Sequence, residues 1–210
     1  MLNRIFLKFL TLMISVTDFS NKKKIIFFLK KNFNKEELTV IDIGSHKGET
    51  INLFLNNFII KKIFAFEPNT NLFKKLQFNS KYNNNKINLY NYGVGLKEED
   101  KYLNIMTDTS SSTFNAINFH SDYYKKKKKI LSFFSNTESL IEKKQKIKII
   151  KLSNFISKKN ILKINILKID TEGYEYYVLK GLEANDLKKI RFIYFEHHYD
   201  LMIKKNYNFP

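Results

Sequence analysis

Five short apolar runs, each followed by a glycine or a polar residue, limit the fold of this chain more than any other feature. They are rich in β-branched and aromatic residues, as buried strands are. The runs are Leu38–Ile43, Ile63–Phe66, Ile87–Tyr92, Ile164–Ile169 and Arg191–Phe195. Segments with helical periodicity lie between them: Thr50–Phe58, Asn69–Phe78 and Tyr174–Leu182. Strands that alternate with helices predict an α/β fold, with a mostly parallel sheet and helices on both faces.

The N-terminal segment predicts helices rather than a membrane span. Ile5–Val16 is apolar over only 12 residues and is interrupted by Lys8, whereas a span needs about 20 residues. Ser20 can cap a second helix that reaches Phe33. We therefore expect residues 1–36 to form helices packed on the domain. The first helix is amphipathic and basic, so peripheral contact with the inner membrane surface is a second expectation.

The charge of the chain is carried almost entirely by lysine. Lysine and arginine number 37 against 20 acidic residues, a net charge of +17, and Arg4 and Arg191 are the only arginines. Proteins that read nucleic acids rely on the guanidinium fork, so we expect no nucleic-acid partner. The chain has no cysteine, which excludes disulfides and thiolate chemistry and fits a cytoplasmic location.

A stretch at about residues 101–152 interrupts the alternation of strands and helices. It contains two predicted strands, Lys101–Met106 and Ile147–Leu152, a serine cluster at Ser110–Ser112 and a lysine run at Lys125–Lys129. The lysine run is typical of a solvated helix face. Long insertions usually carry function, so its part from Tyr102 to Lys146 is expected to roof the site and select the substrate. The domain itself is predicted to span residues 37–210.

A glycine loop follows the first strand, where the sequence from Val40 to Thr50 reads VIDIGSHKGET. Gly44 allows a tight turn, and Gly48 lets the next helix start close to a ligand and the sheet. His46 stands where a dinucleotide-binding fingerprint has its middle glycine, and no P-loop sequence is present. The loop therefore suits a ligand with a carboxylate and a ribose rather than a diphosphate.

Glu67 supports this interpretation, because it ends the next strand, 23 positions after Gly44. A carboxylate at this position can accept hydrogen bonds from both ribose hydroxyls of a nucleoside, and it would repel a 2′-phosphate.

These residues, together with later segments, resemble the FkbM family of S-adenosylmethionine-dependent methyltransferases. The matching segments are Val40–Gly48, Ala65–Pro68, Leu167–Glu175, Val178–Gly181 and Phe195–His197. The family commonly has a small residue and then asparagine in the first loop, where this chain has Ser45 and His46.

The resemblance implies a Rossmann-like class I methyltransferase fold and methyl transfer to a hydroxyl of a sugar, a glycolipid or a small metabolite. It also implies a cofactor site around S-adenosylmethionine. The residues that it assigns to that site are Asp42, Gly44 and Gly48 toward the methionine, Glu67 at the ribose, and Gly93 and Val94, ending the third strand, near the adenine, together with Ser45, His46 and Pro68. It places Asp170 beside the methyl group.

The acceptor end of the site is expected at the ends of the fourth and fifth strands. Asp170 and Glu196 end neighbouring strands and should face one crevice, with His197 nearby. The two carboxylates can hold Mg²⁺, or Asp170 or His197 can act directly as a base. Glu172 is a further catalytic candidate, while Glu175 is expected only to cap and solubilise the following helix.

Two alternatives stay open at this stage, and one feature departs from the class I pattern. Only Tyr199–Pro210 follow the fifth strand, too few residues for the usual C-terminal strand hairpin. Without the hairpin the fifth strand is exposed and can pair with a second copy, so a homodimer is one expected assembly. The alternatives to a methyltransferase are a degenerate, non-catalytic Rossmann-like binding module and an oxidoreductase that binds NAD or a nucleotide sugar.

Overall fold

The computed structural model describes residues 23–134, 139–196, 201–204 and 207. In chain order its strands are β1 Glu37–Ile43, β2 Ile59–Phe66, β3 Ile87–Tyr90, β4 Gly93–Gly95, β5 Glu99–Met106, β6 Ile141–Lys151, β7 Ile164–Ile169 and β8 Ile190–Phe195. The helices are α1 at residues 23–33, α2 Glu49–Asn57, α3 Thr70–Gln77, α4 Asp122–Phe134, α5 Leu152–Lys158, α6 Glu175–Lys180 and α7 Ala184–Leu187. Short 3₁₀ turns lie at Ser80–Tyr82 and Thr109–Ser111.

The main sheet has five strands in the order β3-β2-β1-β7-β8, and every neighbouring pair is parallel. From β1 the chain moves outward through β2 to β3, and it later returns to the other side of β1 as β7. The strand order therefore reverses between β1 and β7. In open parallel sheets, this reversal marks the crevice at the carboxyl ends of the strands where ligands bind.

Helices cover both faces of the main sheet, because alternate residues of each strand point to opposite sides. On one face Val40 of β1 packs with Phe33 of α1 and Phe54 of α2. On the other face Ile41 of β1 packs with Phe155 of α5. All five of these side chains are buried. The predicted α/β architecture with helices on both faces is confirmed.

The segment between β3 and α5 forms a second sheet in the order β4-β6-β5, with β4 parallel and β5 antiparallel to β6. The prediction that Gly93 and Val94 end the third strand is wrong. That strand ends at Tyr90, and Gly93–Gly95 leaves the main sheet to pair with Ile149–Lys151 of β6. The lysine run lies on α4 and is mostly exposed, as expected.

Some predictions concern the ends of the chain. Ile5–Val16 and the Ser20 cap lie outside the described residues. Beyond β8 the described residues add no further strand to the main sheet, and Ile203 instead forms an antiparallel bridge with Ile117. Within the described ranges, no helix combines the length and the apolar character needed to cross a membrane.

The turn that leaves β1 is packed tightly against the end of β7. Gly44 has a φ of +83°, in the left-handed region, and its N–H donates to the carbonyl of Phe66 at 2.9 Å. A Cβ at this position would overlap the carbonyl oxygen of Asp170. The backbone at the end of β7 therefore requires glycine here, in addition to the tight turn predicted from the sequence.

We expect Gly44→Ala to destabilise the whole domain, by about 2–4 kcal/mol, because it combines a left-handed backbone with a backbone clash. Urea unfolding followed by circular dichroism measures this loss. Lys47→Ala, an exposed position in the same loop, is the matched control and should change stability by less than about 0.5 kcal/mol. Equal stability of the two variants would contradict the packing argument.

Candidate active site

A cavity of about 740 Å³ lies at the carboxyl ends of β1, β2, β7 and β8, where the strand order reverses. Its walls come from the loops after β1 and β2, the ends of β7 and β8, helices α1 and α2, and the segment between β5 and α4. Its volume is in the range of cavities that enclose a cofactor-sized ligand. The fold therefore places a ligand-sized site where parallel sheets commonly have one.

Glu67 lies at the end of β2, on the wall of this cavity, and is only 6% exposed. One carboxylate oxygen accepts the N–H of His46 at 2.7 Å, and the other accepts the N–H of Asn69 at 2.8 Å. Burial raises the pKa of Glu67 to about 7, although these two N–H groups favour the charged form. The carboxylate is thus fixed in position and titrates near neutral pH.

The start of α2 does not match the expectation that Gly48 lets this helix begin close to a ligand carboxylate. Gly48 does not line the cavity, and a Cβ there would overlap the hydroxyl of Tyr82. The Glu49 carboxylate accepts the N–H of Lys47 at 3.0 Å. Burial alone would raise the pKa of Glu49, but hydrogen bonds from His46 and backbone N–H groups lower it to about 2. A ligand carboxylate at this helix start would therefore meet an ionised side chain.

Asp42, Lys168 and Asp170 form a row of charges at the cavity wall, and Lys168 and Asp170 line the cavity. The Lys168 ammonium lies 3.3 Å from a carboxylate oxygen of Asp42 and 3.3 Å from one of Asp170, and it donates to the Gly44 carbonyl at 2.8 Å. Asp42 is fully buried and does not line the cavity. Neither of its carboxylate oxygens has a hydrogen bond of normal geometry within the described ranges, so Lys168 is its compensating charge.

The pKa values within this row follow from burial and from the ion pairs. Burial raises the pKa of Asp42, and the Lys168 ammonium opposes that rise. For Lys168 burial would lower the pKa, but the carboxylates of Asp42 and Asp170 outweigh it and the pKa lies above its ordinary value. Lys168 therefore stays charged although it is 4% exposed. Sequence reasoning missed it, and its signal was a single lysine within the apolar strand INILKI.

Three acidic residues from β7, β8 and their following loops line the same cavity: Asp170, Glu172 and Glu196. Because β7 and β8 are parallel neighbours, Asp170 and Glu196 reach one edge of the sheet, as the topology predicts. Burial raises the pKa of Glu172 to about 9, and the nearby carboxylates of Asp170, Glu196 and Glu175 add to the rise. Glu172 therefore holds its proton at neutral pH.

Glu175 has a different role from the one expected. It begins α6 but is 1% exposed, so it does not solubilise the helix. Its carboxylate accepts the N–H groups of Thr171 and Gly173, each at 3.0 Å. These bonds fix the loop that carries Glu172, which has a left-handed φ of +51°. Asp170, Glu172 and Glu196 are here called the acidic edge of the cavity. Glu175 does not line the cavity, but its hydrogen bonds position the loop that carries Glu172.

The described residues do not fit the expected Mg²⁺ site. None of their histidine, aspartate and glutamate side chains form a group of three that could hold a metal ion. Asp170 is already paired with the Lys168 ammonium, and a divalent cation beside that charge would be repelled. His197, the other catalytic candidate, lies outside the described residues.

The predicted insertion supplies the remaining wall. Residues 108–112, here called the strap, contain the 3₁₀ turn and place Thr109, Ser110 and Ser112 on the cavity. Asp108 caps the turn by accepting the N–H of Ser110 at 3.3 Å. The strap therefore adds three hydroxyl-bearing residues to the cavity wall.

The cavity collects most of the residues predicted for the cofactor. Those that line it are Gly44, Ser45, His46, Glu67, Pro68, Gly93 and Val94. Asp42 and Gly48 lie behind the wall. Sequence reasoning missed several apolar lining residues, since nothing in their local pattern distinguishes them from core: Ile25, Leu53, Leu103 and Phe114.

Comparison with known proteins decides the family. The model of the methyltransferase FkbM domain matches residues 42–206. The chain belongs to the FkbM methyltransferase family. A solved structure of the methyltransferase FkbM from Methylobacillus flagellatus KT is similar to this FkbM chain at 15% identity and a TM-score of 0.40. The match covers 69% of this chain and 28% of that one. A search of the curated proteins finds no match.

Removal of the Lys168 ammonium should leave the buried Asp42 carboxylate without a compensating charge. We expect Lys168→Met to reduce the free energy of unfolding by about 3–5 kcal/mol, as broken buried ion pairs do. The double variant Lys168→Met/Asp42→Asn should recover most of that loss, because it leaves no buried charge behind. Urea unfolding of both variants at pH 7 tests this. If the double variant is no more stable than the single one, Lys168 does not act through Asp42.

Burial of Glu67 should also make stability depend on pH. The folded pKa of about 7 exceeds the ordinary value of about 4.3. Between these values the folded state binds a proton that the unfolded state has lost, so the free energy of unfolding falls as pH rises. In Glu67→Gln we expect the fall between pH 5 and 8 to shrink by about 2–3 kcal/mol. The exposed control Glu142→Gln should keep the wild-type slope.

Proposed function

We propose that this chain transfers a methyl group from S-adenosylmethionine to a hydroxyl group of a sugar, a glycolipid or another small hydroxylated metabolite. The observation that carries the proposal is the convergence of Glu67 and Asp170, two carboxylates within the matched family domain, on one cavity. The first suits the ribose of the cofactor, and the second suits the acceptor hydroxyl.

The residues present fit S-adenosylmethionine. Each Glu67 oxygen accepts one backbone N–H and can accept a second donor, so both ribose hydroxyls can bind there. Pro68 and Val94 offer apolar surface at the adenine end. These features support the cofactor without a metal ion.

When bound, S-adenosylmethionine supplies an electrophilic methyl group on its sulfonium, which leaves alignment and proton removal to the protein. We assign proton removal from the acceptor hydroxyl to Asp170, which the Lys168 ammonium orients from 3.3 Å. Glu172, protonated at neutral pH, can donate a hydrogen bond to another oxygen of the acceptor. His197 is the alternative base in this proposal.

The chemistry of the cavity wall guides the choice of acceptor. The strap brings Thr109, Ser110 and Ser112 to the cavity, and hydroxyl groups can both donate and accept hydrogen bonds. This wall favours a polyhydroxylated small molecule or glycan over a nucleic acid. We further propose a cytoplasmic protein that contacts the membrane through the amphipathic segment Ile5–Val16. The position of β8 at one end of the main sheet supports pairing with a second copy.

Binding of S-adenosylhomocysteine, the demethylated product of the cofactor, tests the proposal. We expect it to bind in calorimetry, and Glu67→Ala should weaken binding by about 1.5–3 kcal/mol through loss of the charged acceptor. Glu142→Ala, an exposed carboxylate outside the cavity lining, is the control and should bind as the wild type does. Unchanged affinity in Glu67→Ala would remove Glu67 from the site.

Thermal shifts with the same ligand distinguish the proposed function from its alternatives. S-adenosylhomocysteine should raise the melting temperature, and NAD should not, because a ligand stabilises the state that binds it. A shift with NAD alone would indicate an oxidoreductase. No shift with either ligand would favour a non-catalytic binding module.

A further inference from the structure

His46 contacts both the expected ribose-binding carboxylate and the strap. Its backbone N–H donates to Glu67 at 2.7 Å. Its ring lies with Nδ1 3.2 Å from Glu49 and Nε2 2.9 Å from the hydroxyl of Thr109. One residue thus joins the loop after β1, the end of β2 and a segment 63 positions later in the chain.

The backbone conformation of His46 makes these contacts possible together. Its φ of +48° is left-handed, a region that non-glycine residues seldom occupy. In that conformation the N–H points to Glu67 while the ring extends past Glu49 to Thr109. A residue held in a sparsely populated conformation by several contacts commonly belongs to a functional site.

The hydrogen-bond chemistry assigns the tautomer of the neutral ring. The Glu49 carboxylate has a pKa of about 2, so it is ionised and can only accept. In the neutral ring Nδ1 of His46 therefore carries the proton and Nε2 accepts the hydroxyl proton of Thr109, whereas in the protonated ring Nε2 donates to the same oxygen. In both states the contact depends on the Thr109 hydroxyl.

The far side of the strap is anchored independently of His46. The Lys127 ammonium of α4 pairs with Asp108 at 3.0 Å and donates to the Ser111 hydroxyl. Just beyond the strap, the Thr113 hydroxyl donates to the carbonyl of Glu172 at 2.7 Å. The strap therefore spans from the cofactor end of the cavity, at His46, toward the acidic edge.

We propose that His46 is a positioning residue that couples occupation of the cofactor site at Glu67 to the placement of the strap over the cavity. This inference rests on the proposed function for the identity of the cofactor. A ligand that engages Glu67 fixes the carboxylate to which the His46 N–H is bound, and the His46 ring passes that constraint to Thr109. Because coupling between two sites is reciprocal, a change that loosens the strap must also lower the affinity for the cofactor.

Two substitutions of Thr109 test the link with a matched pair. Thr109→Val removes the hydroxyl and keeps the shape, whereas Thr109→Ser keeps the hydroxyl. Hydrogen exchange of the full chain, read by mass spectrometry, should show that S-adenosylhomocysteine slows exchange at residues 108–112 in the wild type and in Thr109→Ser. In Thr109→Val that slowing should vanish, and the affinity for S-adenosylhomocysteine should fall about fivefold.

His46→Asn provides the complementary variant. Asparagine tolerates a left-handed φ and keeps the N–H for Glu67, but its side chain is too short for Thr109. We expect it to behave as Thr109→Val does. If strap protection on ligand binding persists in Thr109→Val and His46→Asn, the ligand orders the strap directly and the proposal fails.

A measurement without ligand separates this inference from the proposed function. In the unliganded protein, Thr109→Val should speed exchange of the His46 amide, which is bonded to Glu67, and Thr109→Ser should not. If the two variants differ in exchange of the His46 amide but S-adenosylhomocysteine does not bind the wild type, the contact between strap and loop is supported and the assignment of the cofactor is wrong. If the two variants exchange equally at His46, the link itself is overturned.

Discussion

The geometry of the site depends on the contacts of the Lys168 ammonium. The ammonium connects three parts of the sheet edge: the buried Asp42 of β1, the Gly44 carbonyl in the turn after β1, and Asp170 after β7. β1 and β7 flank the point where strand order reverses, so the charge row stabilises the crevice where it is formed. A carboxylate as buried as Asp42 would lose its charge or destabilise the fold without that cation.

The same burial controls the charges that face the cavity. Glu67, with a pKa of about 7, and Glu172, with a pKa of about 9, carry less negative charge at neutral pH than their number suggests. Hydrogen bonds donated to a carboxylate favour its charged form, so ribose hydroxyls would shift Glu67 toward ionisation. A neutral Glu172 can donate a hydrogen bond beside Asp170. The cavity thus contains acidic groups suited to different tasks, because burial and neighbouring charges give their carboxyl groups different pKa values.

The sequence predicted the main sheet well because each of its strands has its own local signal. β7 has the predicted bounds, Ile164–Ile169, and the glycine or acidic residues after β1, β2, β7 and β8 marked the edge of the sheet where the cavity lies. The departures came from long-range contacts. Gly93–Gly95 continued an apolar run in the sequence, yet it pairs with β6, which is some 50 positions away. Burial of Glu175 and the position of Lys168 between two carboxylates likewise depend on partners brought together only by the fold.

Left-handed backbone conformations of non-glycine residues occur both in ordinary turns and at the cavity, and the reasons differ. Four non-glycine residues with left-handed φ occur within the described ranges: Asn34, His46, Asn160 and Glu172. The two asparagines tolerate this conformation intrinsically and lie in turns. Glu172 has no such tolerance, and both His46 and Glu172 line the cavity. Each is held by a network that reaches beyond its own loop, through Thr109 for His46 and through Thr113 for Glu172. Because Thr109 and Thr113 belong to one segment, the predicted insertion contacts both strained positions, one in the loop after β1 and the other in the loop after β7.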